Sequence, residues 1–413
     1  MSAVENYQRP DPLVGTALEG RYRVDAVIAT GGMSTVYRGL DTRLDRPVAL
    51  KVMDARYSGD SQFLARFQRE AKAVARLKGE GLVAVYDQGG GAPGAEPPFL
   101  VMELIDGGTL RELLRERGPM PPHAAAAVLL PLCHGLAVAH AAGLVHRDVK
   151  PENVLISDAG EVKIADFGLV RAVAEAGITS TSVILGTAAY LSPEQVATGD
   201  SDPRSDVYAM GILAYELLTG RTPFTGDTAL SVAYQRMDHD VPPPSSAIAG
   251  VPPQFDELVR RATDRDPDAR FADADALGAA LADLVDELGL PPFRVPAPQQ
   301  SAQHRAATAF HSRVQSALAP DARPTEPHRD TRVFTPAEWQ HPPEPARDVD
   351  NYQDELEYRP AAAQFAGIDI DEFHWARQRS RRVLLAWVVV VLILAGLAAA
   401  GGWTLGNNLQ TLL

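Results

Sequence analysis

Asp148, Lys150 and Asn153 fall within one short stretch, His146-Arg147-Asp148-Val149-Lys150-Pro151-Glu152-Asn153, and Asp166 follows in Asp166-Phe167-Gly168. Carboxylate and amide oxygens are hard ligands of the kind Mg²⁺ prefers, and Mg²⁺ keeps water and phosphate oxygens in the rest of its shell. A lysine nearby compensates anionic charge. Singly, Asp148, Lys150 and Asp166 are ordinary solvated loop charges. Jointly with Lys51, in Val48-Ala49-Leu50-Lys51, they are the residue types suited to phosphoryl chemistry, which asks for charge compensation and alignment more than covalent help.

These residues must be held by elements that the hydrophobic pattern lays out. Arg21 to Ile28 alternates apolar and polar residues and runs into Gly31-Gly32, a strand followed by a turn. Val36–Gly39 and Val48–Met53 read as two more strands. Gln62–Lys78 carries Phe63, Phe67, Ala71, Val74 and Leu77 at helical spacing, and places Glu70 on that helix. Strands over Leu82–Tyr86 and Phe99–Leu104 complete a small sheet. Beyond Gly107-Gly108 the pattern turns helical, with Pro122–Ala142, Ser205–Leu218, Phe255–Thr263 and Ala274–Leu288. Only two short strands interrupt it, Val154–Ile156 and Val162–Ile164. A β-rich small lobe followed by an α-rich large lobe implies a cleft between them.

In this order and on these elements, the motifs resemble those of the Hanks-type protein kinases, over residues 20–288. The resemblance implies an α+β bilobal kinase fold that binds ATP with Mg²⁺ or Mn²⁺. It makes Asp148 the base that orients the substrate hydroxyl and Lys150 the neutraliser of the transferring group, with Asn153 and Asp166 as metal ligands. Lys51 would hold the α- and β-phosphates, positioned by Glu70. Ile28, Ala29, Gly31, Gly32, Met33, Ser34 and Val36 align with the glycine-rich loop. There Ala29 and Ser34 replace the first and third glycines, a departure that bears on nucleotide affinity. Ala49 would join the ATP site, and Met102, Glu103 and Ile105 would form the hinge against adenine, with Met102 as gatekeeper.

The resemblance also reads 169–191 as an activation loop, with Thr179 and Thr181 as autophosphorylation sites balancing Arg147. Gly186-Thr187-Ala188-Ala189-Tyr190-Leu191-Ser192-Pro193-Glu194, together with Lys150, points to serine/threonine rather than tyrosine acceptors. Thr187, Asp206 and a Glu194–Arg270 pair would be structural supports. The competing reading is a membrane-tethered pseudokinase scaffold.

Composition constrains the rest. A net charge of −14 argues against a nucleic-acid partner. One cysteine, Cys133, cannot make an internal disulfide, which suits a reducing compartment. Residues 1–19 read as an N-terminal tail and 289–382 as a Pro-rich juxtamembrane linker. Within that linker, 291–363 is too polar to order itself, while Gln364–Arg382 could form an amphipathic helix. Val383–Trp403 has no charge. At ~1.5 Å per residue it spans about 31 Å, enough for one transmembrane helix. Arg377, Arg379, Arg381 and Arg382 on its upstream edge put the kinase domain in the cytoplasm and leave 404–413 as a short tail outside. This arrangement is similar to that of the actinobacterial PknB-like membrane kinases. Thr30–Gly39 together with Ser301-Ala-Gln-His-Arg narrows the resemblance to one branch of that group. The expected partners are protein substrates and the membrane, with a second copy as partner if trans-autophosphorylation occurs.

Overall fold

The computed structural model describes residues 11–57, 61–91, 96–167, 188–226 and 228–318, and two short strands at 364–365 and 368–369. The contacts divide the chain into a unit up to Glu326 and a second from Pro327. In the second, Gln364–Phe365 pairs antiparallel with Ile368–Asp369. Where the sequence allows an amphipathic helix over Gln364–Arg382, the described residues 364–365 and 368–369 are extended instead, and the rest of that span lies outside the described residues. The segment 383–403 lies outside the described residues. Among those described, one helix, Pro122–Ala141, is long and apolar enough to cross a membrane, and it is packed in the interior of the first unit.

The first unit opens with a six-stranded sheet. Its strands are β1 (Ala17–Leu18), β2 (Tyr22–Thr30), β3 (Ser34–Asp41), β4 (Arg46–Met53), β5 (Val85–Gly89) and β6 (Phe99–Glu103), in the order β1-β2-β3-β4-β6-β5. β1 belongs to what the sequence reads as a tail. Leu18 is buried and Leu13 and Val14 pack against the core, so residues 11–19 belong to the folded lobe, with Ala17 and Leu18 in its sheet. Three apolar residues suffice there because the sheet supplies the opposing surface.

Helix α1 (Ser61–Val74) buries Phe63, Phe67 and Ala71, spaced at i, i+4 and i+8, against Ala49, Leu100 and Met102. β5 begins at Val85 because Leu82 is drawn away into a bridge with Ile164, which leaves only the later residues to pair with β6.

The second half is helical around a three-stranded sheet of β7 (Gly107–Thr109), β8 (Val154–Ser157) and β9 (Val162–Ile164). The helices are α2 (Leu110–Arg117), α3 (Pro122–Ala141), α4 (Pro193–Ala197), α5 (Pro203–Thr219), α6 (Ala229–Asp238), α7 (Pro244–Ala247), α8 (Pro253–Ala262) and α9 (Ala274–Glu287). α3 and α5 are apolar nearly all round, as buried helices must be, and pack on each other and on α9. Asp202 caps the N-terminus of α5 through Arg204 N–H, and Gly220, at φ 76°, ends it in the left-handed conformation that glycine adopts without strain.

The chain does not stop folding at α9. Residues 289–301 run back over the surface into a further helix, α10 (Ala302–Leu318). A structureless linker from 291 is corrected to an ordered segment as far as 318. It has no core of its own, but Val295, Ser301, Gln303 and Ala306 are buried against the kinase surface.

Candidate active site

The catalytic loop is built on a buried aspartate. Asp206 sits in the first turn of α5 and accepts the backbone N–H groups of His146 and Arg147, both at 2.8 Å. His140, on α3, brings Nε2 to 2.9 Å of the same carboxylate. Its Nδ1 accepts the Ala274 N–H, so the proton is on Nε2 and is donated to Asp206. His146 is fixed in the same way. Its Nδ1 accepts the Asp148 N–H at 3.2 Å and its Nε2 donates to the Ala165 carbonyl at 2.8 Å. The His146 ring also meets the Phe167 ring edge-on, with centroids 4.5 Å apart. These bonds hold two non-glycine residues at left-handed φ, Arg147 at 69° and Asp166 at 68°. Such backbone costs on the order of 1–3 kcal/mol per residue and persists only where the surroundings over-determine it.

On this frame three side chains converge. Lys150 Nζ donates to Asp148 Oδ2 at 2.8 Å, and Asn153 Nδ2 donates to the same oxygen at 3.0 Å and to the Asp148 carbonyl at 2.7 Å. Asp148 is buried, and among the described residues its Oδ1 has no hydrogen-bond partner. A buried carboxyl oxygen held open in this way fits an acceptor for a substrate hydroxyl. With Nδ2 committed to Asp148, Asn153 keeps its Oδ1 for a cation.

Asp166 is met by Lys51, whose Nζ lies 2.8 Å from Oδ1. Burial works against ionisation of Asp166, but the Lys51 ammonium, with Lys150 farther off, outweighs it and holds its carboxyl below the usual range. Among the described residues no cluster of three or more His, Cys, Asp or Glu would hold a metal alone. Asn153 and Asp166 are two oxygen donors of the kind that could hold Mg²⁺, with phosphate and water oxygens completing its shell.

Above this group, β2 and β3 pair through Ala29–Val36 and Thr30–Thr35, and Gly31 N–H closes the turn on the Ser34 carbonyl at 2.9 Å. Ala29 therefore lies in extended strand, which any L-residue adopts, so its methyl group imposes no backbone strain. Ala29, Thr30, Gly31 and Gly32 are exposed, while Met33, Ser34 and Val36 are half-buried. Val36 pairs with Lys51 across β3 and β4, and Ala49 pairs with Met102 across β4 and β6. The β4–β6 ladder ends at Val48–Glu103, and Leu104 and Ile105 continue past it to join the lobes. Glu103 is fixed by Lys163 at 2.5 Å and by the Ala84 N–H. Behind Met102 a cavity of about 20 Å³, lined by Ala71, Val74, Leu100, Asp166 and Phe167, holds no more than a water.

Glu70 lies half-buried on α1, and the ion pair that Lys51 makes is with Asp166. Glu194 and Arg270 form a two-pronged pair at 2.8 and 2.9 Å, with the Arg270 side chain fully buried. Thr179, Thr181 and Thr187 lie outside the described residues. Sequence reasoning passed over Arg111, on α2. It reaches Glu152 at 2.8 Å, Glu216 at 2.6 Å and Tyr190 at 2.7 Å, tying the segment after the activation loop to α5. Its only signal was an arginine inside a helix that the periodicity had not separated from the preceding turn.

A two-lobed fold that brings Lys51 to Asp166, and Lys150 and Asn153 to Asp148, is that of a protein kinase. The family described as the protein kinase domain matches residues 22–281, and the chain belongs to it. Among particular relatives, it is 63% identical over 405 residues to the serine/threonine-protein kinase PknL of Mycobacterium bovis, covering 98% of both chains. The serine/threonine-protein kinase PknB of Mycobacterium tuberculosis is 45% identical over 268 residues, 64% of this chain and 43% of that one. A crystal structure of the Mycobacterium tuberculosis PknI kinase domain superposes with a TM-score of 0.51 at 26% identity, covering 65% of this chain and 97% of that one. The chain is a serine/threonine protein kinase.

Proposed function

We propose that the chain transfers the γ-phosphoryl group of ATP to serine and threonine hydroxyls of proteins, its own Thr179 and Thr181 among them. The observation that carries this reading is Asp148. It is a buried carboxylate with one oxygen fixed by Lys150 and Asn153 and the other open. A substrate hydroxyl placed on Oδ1 gives up its proton as the phosphoryl group arrives. Lys150 faces the charge that then develops. A divalent cation, Mg²⁺ or Mn²⁺, would supply charge neutralisation between the phosphates and would be held by Asn153 Oδ1 and Asp166. Lys51 meets Asp166 where that positive charge belongs. With nucleotide bound it would turn to the α- and β-phosphates and be oriented by Glu70. Adenine would lie against Ala49, with Met102, Glu103 and Ile105 beside it.

Arg147, held at a left-handed φ next to the base, supports a role for loop phosphorylation, since phosphate on Thr179 or Thr181 would bring charge-assisted hydrogen bonds to it. The arginine-flanked apolar segment Val383–Trp403 supports a single-pass membrane tether with the kinase domain on the cytoplasmic side. Paired copies would let one loop enter the other's site.

Phosphate incorporation from ATP with Mg²⁺ or Mn²⁺ into the full chain tests the reading, with sites mapped by mass spectrometry. Wild type should label Thr179 or Thr181. Asp148→Asn and Lys51→Met should remain folded and lose transfer by about 10²-fold or more. Thr179→Ala with Thr181→Ala should lower activity and leave nucleotide binding intact. Undiminished labelling in Asp148→Asn would overturn the role of the base.

A further inference from the structure

The segment that follows the kinase fold touches every level of it on one side. At the large lobe, Arg294 Nη2 donates to the Asp158 carbonyl at 3.0 Å, His304 Nε2 lies 3.1 Å from the Asp158 carboxylate, and Phe293 meets His123 edge-on. Gly160 sits beneath, at φ 82°, where a β-carbon would come within 2.7 Å of Arg294 Cγ. One step up, α2 caps the incoming chain. Glu116 accepts the N–H groups of Gln299 and Gln300 at 3.0 and 2.8 Å. Glu112 has two tasks. Its Oε2 closes the capping box of α2 on Thr109, and its Oε1 accepts the Ala302 N–H at 2.8 Å.

At the connection between lobes, Ser301 Oγ donates to the Gly107 carbonyl and is itself fully buried. Gln303 Nε2 reaches Asp106 at 3.3 Å, and Arg38 on β3 holds the same carboxylate at 2.9 Å. At the small lobe, α10 packs on β2 and β3, with Ala306 buried and the Arg23 guanidinium 5.8 Å from the Phe310 ring.

We propose that residues 291–312 form a strap that fixes the angle between the lobes and so positions β2 and the interlobe connection for nucleotide. Ser301, Gln303 and Ala306 are positioning residues, since they act through Gly107, Asp106 and β2 rather than on ATP. Gly108 fits this role. A β-carbon there would meet Pro298 Cγ and Ser301 Cβ, both at 2.5 Å, so the side chain is excluded by the strap. The strap is also the first stretch after the kinase fold, so a pull or a partner acting on residues beyond 318 reaches the nucleotide site through it. The inference rests on the placing of ATP under the β2–β3 turn.

The test uses the full chain carrying Ala306→Glu, which puts a charge into the buried face of α10 while keeping a good helix former. Gly108→Ala displaces the strap from the opposite side, and Thr308→Glu, on the exposed face, is the control. Backbone hydrogen exchange over 301–312 reports release, and kinase assays report kcat and the KM for ATP separately. Release should raise the KM for ATP about fivefold or more with kcat changed far less, in both variants and not in the control. A wild-type KM in variants whose 301–312 amides exchange freely overturns the strap. Failure of the wild type to bind ATP would instead overturn the placing of the nucleotide.

Discussion

The catalytic loop and the β2–β3 turn face the same cleft and are built in opposite ways. His146, Asp148 and Asn153 are buried and cross-braced: Asp206 accepts from the His146 and Arg147 N–H groups and from His140 Nε2, the Ala165 carbonyl accepts from His146 Nε2, and Asn153 donates to Asp148. The turn from Ala29 to Gly32 is exposed and is closed by the Gly31–Ser34 hydrogen bond. Groups that must meet a reacting atom within a fraction of an ångström belong on the first kind of support, because small misplacement costs rate steeply. A cover that must admit and release nucleotide belongs on the second, where few contacts break when it moves. The hydrogen bonds are therefore concentrated under Asp148, and substitutions in the two loops should divide accordingly.

The largest effect is expected at Asp206. Asp206→Ala leaves the His146 and Arg147 N–H groups and the His140 Nε2–H without an acceptor, at about 1–3 kcal/mol for each that is buried, and removes what holds Arg147 at its left-handed φ. Chemical denaturation should show a loss of roughly 3–5 kcal/mol, with kcat falling at least about tenfold. Asp206→Asn sharpens the comparison. It keeps the volume but turns an NH₂ toward one of the two N–H groups, so it should fall between wild type and alanine. A stability within error of wild type in both would show that the catalytic loop is no better braced than the turn.

Much of this arrangement is legible in the sequence where a residue's partner is near in sequence or belongs to a strongly patterned element. The alternation before Gly31 and the i, i+4 spacing of Phe63, Phe67 and Ala71 place the small lobe within a few residues. The order of Lys51, Asp148 and Asp166 places the cleft. What was not legible depends on surfaces that exist only after folding. Residues 291–318 look unable to order because they bury little against themselves, and Val295 and Ala306 find their cover on a domain already formed. β1 is the same case at the other end. Nothing in the sequence around Arg111 names its partners, because Glu152, Tyr190 and Glu216 lie 41 to 105 residues away and meet it only in the folded lobe.

A middle-sized effect should separate the loops by pH. Burial of Glu194 opposes its charge, yet Arg270 and the hydroxyls of Ser205 and Ser192 bring its pKa down to about 2 from an ordinary value of 4.5. A depressed carboxylate pKa contributes stability that is complete above the unfolded value and is lost as pH falls toward the folded one. The contribution, on the order of 3 kcal/mol at neutral pH, should fade between about pH 4.5 and pH 2. Glu194→Gln should flatten that part of the stability–pH curve and lower the plateau above it. A curve for the variant parallel to wild type through this window would show that the Glu194–Arg270 pair is not what acid dissolves.

The smallest effect belongs to the turn. Ala29→Gly restores the residue that the resemblance leads one to expect, at a position where the strand pairing with Val36 asks for no unusual φ. Glycine frees the unfolded chain and the strand alike, at a cost of about 0.5–1 kcal/mol in an extended segment. It removes one methyl group from an exposed edge and leaves the braced loop untouched. The KM for ATP should therefore shift by no more than about threefold while kcat stays at the wild-type value, since a change under about 0.7 kcal/mol at the turn corresponds to that factor. A drop in kcat would mean that the turn, like the catalytic loop, holds its residues for the chemical step, and the division between a braced base and a light cover would fail at its weaker side.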